Sequence, residues 1–358
     1  MYYFREDLKS KKPVNINVAD KKIKMGLNES TLDPFEVVKD EFIEKMKNVQ
    51  LNRYFNSITK TLRKQLADYA EVAPECLAFG NGADEMLYYL FNSVRNDNNS
   101  FAVSLAPSYF DYKSYSGAVG LGIKFLSLNT DFDFSVDEYL KLCDNENCKL
   151  AIVCNPNNPT GNLLDEDKIL EILKKSNRLV LIDETYFEFS GKTFADKIYD
   201  YPNLVIVRSF SKSFSAAGLR FGYIISHPDN INELEKVMTI FHLNLMTQTM
   251  ISTMLEKKEI FLEHNKKIIE NKENVFQKLS AIDGISVHPS ATNFLTFSVG
   301  DRTEDLFNFL NQNDIAIRPV WHHPVLTKYV RVTISNAGHN AAFIENVKKF
   351  INMNSFAS

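Results

Sequence analysis

Cysteine is scarce in this sequence, long apolar runs are missing, and neither sign of charge prevails. Four cysteines in 358 residues, Cys76, Cys143, Cys148 and Cys154, are too few for a disulfide-built fold and read as reduced thiols of a cytoplasmic protein. Cys143 and Cys148 flank Asp144-Asn145-Glu146-Asn147, but no second Cys or His pair completes a zinc set, so no metal is expected. The amphipathic start, Met1 to Asp7, soon turns lysine-rich and lacks the apolar centre of a secretion signal. No apolar run approaches the roughly 20 residues that a membrane-spanning helix needs. A net charge of −4, with 41 basic against 45 acidic residues, offers no electrostatic footprint for nucleic acid or an anionic membrane. No internal repeat is visible. The length suffices for a large core in two lobes.

What the sequence does hold is a polar stretch behind a buried strand. Leu204 to Val207 reads as that strand. Arg208-Ser209-Phe210-Ser211-Lys212-Ser213-Phe214 follows, and then Gly218-Leu219-Arg220. An amine held between Phe210 and Phe214 and near other cations loses part of its preference for the charged form. A neutral amine attacks a carbonyl to form a Schiff base. Ser209, Ser211 and Arg220 offer hydroxyl donors and a planar cation, which suit a phosphate monoester. The plain alternative is a solvated lysine and solvated serines at a strand end.

Four other places carry chemistry. Gly80-Asn81-Gly82-Ala83-Asp84-Glu85 lies between a short strand, Leu77 to Phe79, and an apolar helix, and a glycine turn opening a helix aims N–H groups at an anion. Glu85 stands where a dinucleotide fingerprint has its third glycine, so a monophosphate fits better. Leu150 to Cys154 reads as a strand ending in the turn Asn155-Pro156-Asn157-Asn158-Pro159-Thr160-Gly161. Arg178 to Ile182 delivers Asp183, a buried carboxylate that needs a cation, or else caps a helix. Arg331 sits in the β-branched run Tyr329 to Ser335, a costly place for an arginine unless a carboxylate pairs with it.

In this order the motifs resemble the fold-type I pyridoxal-phosphate aminotransferases, most of all the histidinol-phosphate aminotransferase branch. The resemblance runs from about Met25 to the C-terminal region. It implies that Lys212 holds pyridoxal 5′-phosphate and that Asp183 keeps the ring nitrogen protonated. Asn158 and Tyr186 would serve the 3′-oxygen, and Tyr109, in a Pro-x-Tyr turn, would stack on the ring. Ala83, Asp84, Ser209, Ser211 and Arg220 would hold the phosphate, helped by Tyr54 from a neighbouring subunit. Lys212, Asp183 and Tyr186 are thus the catalytic set. Arg331, Arg318 and Asn28 are the expected substrate contacts, with Arg331 on the α-carboxylate. Tyr112 and Tyr115 read as packing residues. The sequence departs from the family at Thr31-Leu32 in place of Pro-Tyr, at Trp321-His322-His323-Pro324, where substrate could be sorted, and at Ser335-Asn336.

The implied fold is α/β, a mostly parallel seven-stranded sheet sandwiched by helices, with a smaller α/β domain from the N- and C-terminal segments. The expected division is an arm and small-domain segment at 1–48, a large cofactor domain at 49–245 and a small domain at 246–358. Helices are expected over Glu36 to Asn48, with Val37, Phe42, Ile43 and Met46 on the inner face, and over Asn230 to Leu255, with a polar break near His242 and Asn244. The implied reaction moves an amino group between glutamate and a small carbonyl acceptor, phosphorylated or plain, in a homodimer with shared sites. A decarboxylase of a phosphorylated amino acid is the alternative on the same residues. A cofactor-binding regulator would need an added DNA-binding domain, for which the short N-terminus leaves no room.

Overall fold

The computed structural model describes residues 3–9, 20–54 and 58–353; Met1, Tyr2 and the Lys11-Lys12 stretch lie outside them. Thirteen strands are present among these residues: β1 (Ile23–Lys24), β2 (Leu77–Gly80), β3 (Phe101–Ala106), β4 (Gly122–Ser127), β5 (Cys148–Cys154), β6 (Leu179–Asp183), β7 (Leu204–Ser209), β8 (Gly222–Ser226), β9 (Ser286–Val287), β10 (Phe294–Ser298), β11 (Ile315–Ala316), β12 (Arg318–Pro319) and β13 (Val330–Thr333). The α-helices are α1 (Pro34–Met46), α2 (Ile58–Ala70), α3 (Gly82–Val94), α4 (Asp111–Val119), α5 (Val136–Cys143), α6 (Glu166–Lys175), α7 (Phe187–Ser190), α8 (Phe210–Ser213), α9 (Pro228–Glu235), α10 (Leu245–Glu256), α11 (Lys258–Ser280), α12 (Thr303–Gln312) and α13 (Ala337–Asn352).

Seven strands make the large sheet, in the order β2-β8-β7-β6-β5-β3-β4. Only β8 runs against the rest, pairing antiparallel with both β2 and β7. The middle strands β6 and β7 are apolar up to their last residues, Asp183 and Arg208-Ser209, because both faces are covered. Val180, Ile182, Leu204 and Ile206 enter one core, while Leu181, Val205 and Val207 enter the core on the opposite face. Such continuous apolar strands are what a parallel sheet sandwiched by helices demands. The sheet is the seven-stranded α/β arrangement that the resemblance implied.

The second sheet, β12-β13-β10-β9, is antiparallel and has its own core around Phe294, Phe297, Leu306, Val332 and Phe343. The N-terminal segment joins it. β1 pairs in parallel with β11, Met25 N donates to Ala316 O at 2.8 Å, and Thr333 N donates to Met25 O at 2.8 Å.

Two helix expectations need correction. In α1 the buried residue is Val38, and Ile43 is half exposed. Val37 and Phe42 pack against the core as expected, while Ile43 turns outward, because a 13-residue helix lying on a surface buries only a narrow stripe. The stretch Asn230 to Leu255 is two helices. α9 ends at Glu235, and Asn244 starts α10 by accepting from Thr247 N at 2.8 Å. An asparagine cap of this kind opens a new helix instead of continuing an old one. α10 is buried almost throughout, and its Met250, Ile251 and Met254 join Leu62 and Leu66 of α2 in one core.

Beneath the sheet's working edge lies a buried ion pair. Arg208 donates to Glu184 Oε2 from Nε (2.9 Å) and Nη2 (2.8 Å), with both side chains at most 2% exposed. Phe187 covers the guanidinium at 3.6 Å, and Glu184 also accepts from Phe194 N and Thr193 Oγ1. Arg208→Met would leave Glu184 charged and enclosed, and is expected to cost about 3–5 kcal/mol of unfolding free energy in denaturant titration.

Candidate active site

The site is built at the carboxyl ends of the parallel strands, where open α/β sheets gather ligands. β2 leads into the start of α3, β3 into Tyr109, β5 into Asn158, β6 ends on Asp183, and β7 ends on Ser209. The close fit of β8 against α3 explains two glycines. A Cβ on Gly222 would come within 2.2 Å of Ala83 N, and one on Gly82, whose φ is +87°, within 2.7 Å of the Arg220 guanidinium. A third glycine is not needed, because Glu85 Oε2 accepts from Asn81 N at 2.7 Å and fastens the turn from inside α3.

The first-turn N–H groups of α3 have no side-chain cap, so they are free to point at an anion. Arg220 lies beside them, donating to Asp84 Oδ2 at 2.6 Å, and Tyr109 donates to the other oxygen of Asp84 at 3.2 Å. Ser209 Oγ caps α8 by accepting from Ser211 N at 3.1 Å and donates to Ser211 Oγ at 3.0 Å. The cradle thus offers backbone donors, two hydroxyls and a guanidinium around a space that a Cβ at Gly82 would fill. That donor set fits a phosphate monoester.

Asp183 ends β6 with its carboxylate 4% exposed. Tyr112 donates to Oδ2 at 2.6 Å, while Thr185 donates to Oδ1 from its hydroxyl at 2.6 Å and its N–H at 3.0 Å. Burial lifts the Asp183 carboxyl above its ordinary range, against the pull of these hydrogen bonds. Such an acid is held rigidly, and among the described residues only neutral donors reach it. Tyr112 therefore does more than pack. Its hydroxyl belongs to the site, although no spacing in the sequence connects it to Asp183. Thr185 was the legible member, since Asp-x-Thr is a local turn pattern.

Lys212 lies in α8 between Phe210 and Phe214, whose rings stack at 4.1 Å. The residue keeps some exposure, yet its amine is enclosed and donates to Leu27 O at 2.9 Å. Burial and then the charge of Arg331 lower its pKa to about 8, opposed by Glu29 and Asp84. A buried lysine of this kind holds its amine neutral far more readily than a solvated one.

Arg331 is the cation opposite. It lies on β13, 9% exposed, next to Thr296 on β10 and Arg318 on β12. Nη1 donates to Asn158 Oδ1 at 2.5 Å and Nη2 to Gly26 O at 2.9 Å, both neutral acceptors, while Nε has no partner. Burial, with Arg318 adding to it, brings its pKa down to about 10. No carboxylate among the described residues pairs with it. Asn158 uses its oxygen here, so its NH₂ remains the donor end. Tyr186, pushed up to about 12 by burial, accepts from Asn28 Nδ2 at 2.8 Å. Asn28 has φ of +56° and is held by Thr333 and Asn293, which sets it beside the Leu27 carbonyl that Lys212 uses.

These contacts draw almost all the expected residues into one locus. Lys212, Asn28, Tyr186, Arg331 and Asn158 form one wall, and Arg220, Asp84, Tyr109, Tyr112 and Asp183 the other. Arg318 is exposed at the rim, where His322 meets Phe110 edge-on at 5.3 Å. His323 caps the following turn, and Asn336 caps α13 by accepting from His339 N at 2.9 Å. Tyr54 stands apart: it is 76% exposed and stacks on Phe241 at 4.5 Å.

The family described as aminotransferase class I and II matches residues 20–351. A histidinol-phosphate aminotransferase of Thermoanaerobacter sp. strain X514 is 31% identical over 351 residues, 97% of this chain and 98% of that protein. Among solved structures, histidinol-phosphate aminotransferase from Sinorhizobium meliloti in complex with pyridoxal-5′-phosphate superposes with a TM-score of 0.86 at 20% identity, covering 98% and 99% of the two chains. L-threonine-O-3-phosphate decarboxylase from Porphyromonas gingivalis superposes with a TM-score of 0.78 at 24% identity, covering 92% and 99%. At these identities the two structures speak for the fold alone.

Proposed function

This chain belongs to the class I and II aminotransferases and is a pyridoxal-phosphate-dependent enzyme, and from that premise we propose that it moves an amino group between glutamate and the phosphorylated ketone that corresponds to histidinol phosphate, so that histidinol phosphate and 2-oxoglutarate are the pair on the other side of the reaction. The observation that carries the substrate side is Arg331, an enclosed guanidinium with neutral partners and a free Nε. A substrate α-carboxylate, such as that of glutamate, supplies the missing anion in a bidentate pair. Full-length likeness to histidinol-phosphate aminotransferases supports the second substrate.

When bound, the cofactor supplies an electron-accepting ring that stabilises negative charge at the substrate's α-carbon. The α3 N–H groups at Ala83 and Asp84, with Ser209, Ser211 and Arg220, would hold its phosphate. Tyr109 would cover its face. Asp183, fixed by Tyr112 and Thr185, would hold the proton on its ring nitrogen, and Tyr186 and Asn158 would donate to its 3′-oxygen. Lys212 takes the proton from the substrate's α-carbon and returns one on the far side of the transfer, so its Nζ must be neutral when it acts. Arg331 and Asn28 orient the substrate.

The exposed Tyr54, together with the exposed Leu51, Ile240, Phe241 and Met246, supports a homodimer in which Tyr54 reaches the partner's phosphate. On the same reading the chain divides into an arm at 1–48, a cofactor domain at 49–245 and a small domain at 246–358. Four free buried thiols suit the cytoplasm.

The test is direct. Histidinol phosphate and 2-oxoglutarate given to the loaded enzyme should yield glutamate mole for mole. Carbon dioxide released from threonine O-3-phosphate, with no glutamate formed, would transfer the chain to the decarboxylases. Activity on plain amino acids alone would remove the phosphate from the proposal.

A further inference from the structure

Below the lysine helix is an acid that the reaction leaves unused. Glu188, in α7, keeps slight overall exposure, but its Oε2 is enclosed and has no hydrogen-bond partner. Its Oε1 accepts from Tyr69 Oη at 3.0 Å. Tyr69 packs edge-on against both aromatic neighbours of Lys212, Phe210 at 5.8 Å and Phe214 at 5.4 Å. Ser213, which follows Lys212 directly, is 1% exposed. Its hydroxyl is close enough to act on the Glu188 carboxyl, yet Ser213 Oγ also has no partner. Glu188 Oε2 and Ser213 Oγ are thus neighbouring enclosed polar atoms without a hydrogen bond.

We infer that ionised Glu188 is a positioning residue for Lys212: its oxygens draw in the hydroxyls of Tyr69 and Ser213 and seat the four-residue helix that carries the amine. A carboxylate is acceptor-only and takes both donors in charge-assisted bonds. Protonation turns one oxygen into a donor and slackens the clamp. The groups facing Glu188 are Arg208 on β7, Ser213 on α8 and Tyr69 on α2, with Tyr223 on β8 and Glu184 after β6 around Arg208. Lys258 of α11 lies 6.0 Å from the Tyr69 ring on its other side. Burial outweighs the help of Arg208 and the two hydroxyls, and raises the Glu188 carboxyl to about 7. The clamp therefore closes as pH rises through that value.

The inference rests on Lys212 being the cofactor amine, so the test has one arm that is independent of it. Isotope-edited infrared spectra of the whole chain, with and without cofactor, should show a protonated-carboxyl band that titrates near pH 7 and is absent in Glu188→Gln. In the loaded enzyme kcat should climb about 10-fold across the same range, the effect of one hydrogen bond to a charged group. Glu188→Gln should stay at the low-pH level. Tyr69→Phe and Ser213→Ala should each move the midpoint to higher pH, because each removes a donor that favours the ion. An unchanged pH profile in Glu188→Gln, or unmoved midpoints in the other two variants, overturns the inference. If Glu188→Gln does not fold, those two variants decide it. A titrating band without any kcat transition would separate a failed clamp from a failed assignment of Lys212.

Discussion

Lys212→Ala is expected to reduce amino transfer by about 1,000-fold or more, the contribution of a positioned acid–base group. Borohydride reduction should then leave no cofactor mass on the chain. The cause is specific to this amine. It is enclosed, stands on a helix turn whose flanking phenyl rings stack on each other, and has a backbone carbonyl, Leu27 O, as its acceptor. A carbonyl acceptor does not fix its charge as a carboxylate would. The pH dependence follows with a definite sign. Below about 8 the amine of the cofactor-free protein is mostly protonated and cannot attack an aldehyde; above it the amine is neutral. Cofactor loading by stopped-flow absorbance should therefore accelerate with pH and level off above about 8. Lys212→Arg should not rescue it, since a guanidinium stays charged throughout. Loading at an undiminished rate in Lys212→Ala would end the assignment.

Arg331→Gln is expected to lower kcat/KM for glutamate by about 100- to 1,000-fold, the loss of one partner of an enclosed charge pair. Arg331→Lys should recover only part of it, because an ammonium cannot reproduce the two-pronged contact. A second readout distinguishes this arginine from a structural one. In the free protein its charge is buried with only the neutral Asn158 and Gly26 oxygens as hydrogen-bond acceptors, and that burial depresses its pKa. Removing it should therefore leave the thermal stability of the free protein equal or higher, while binding suffers. Loss of stability together with unchanged kcat/KM would assign Arg331 to the framework instead.

The legible parts of this molecule were those in which chemistry and local pattern coincide. Lys212 among small and aromatic residues, the glycine turn before α3 and Asp183 at the end of an apolar strand each announce a function within a few residues of chain. A mostly parallel sheet was legible because its middle strands are apolar on both faces and alternate with helices, whereas its count of seven strands came from the resemblance. What escaped depends on tertiary distance. Tyr112 lies 71 positions from the carboxylate it serves, so its hydroxyl reads as one more buried tyrosine. On α1 the expected face held for Val37 and Phe42 and failed at Ile43, which is apolar but half exposed. The break at His242 and Asn244 was legible as a polar interruption, but not how early α9 ends, at Glu235. Glu188 was passed over because a glutamate near aromatic residues gives no sign in sequence of how deeply its carboxyl end is enclosed.

The order in which a ribosome delivers the chain gives one last consequence. The carbonyl that receives Lys212 belongs to residue 27, far upstream of the lysine. That strip is fastened by Ala316 and Thr333, far downstream of it. A nascent chain can complete the large sheet, which ends at Ser226, well before either fastener emerges. Until Thr333 is synthesised the strip that seats the lysine amine stays unfastened, so a chain terminated between the large sheet and that residue would lack the seat of Lys212.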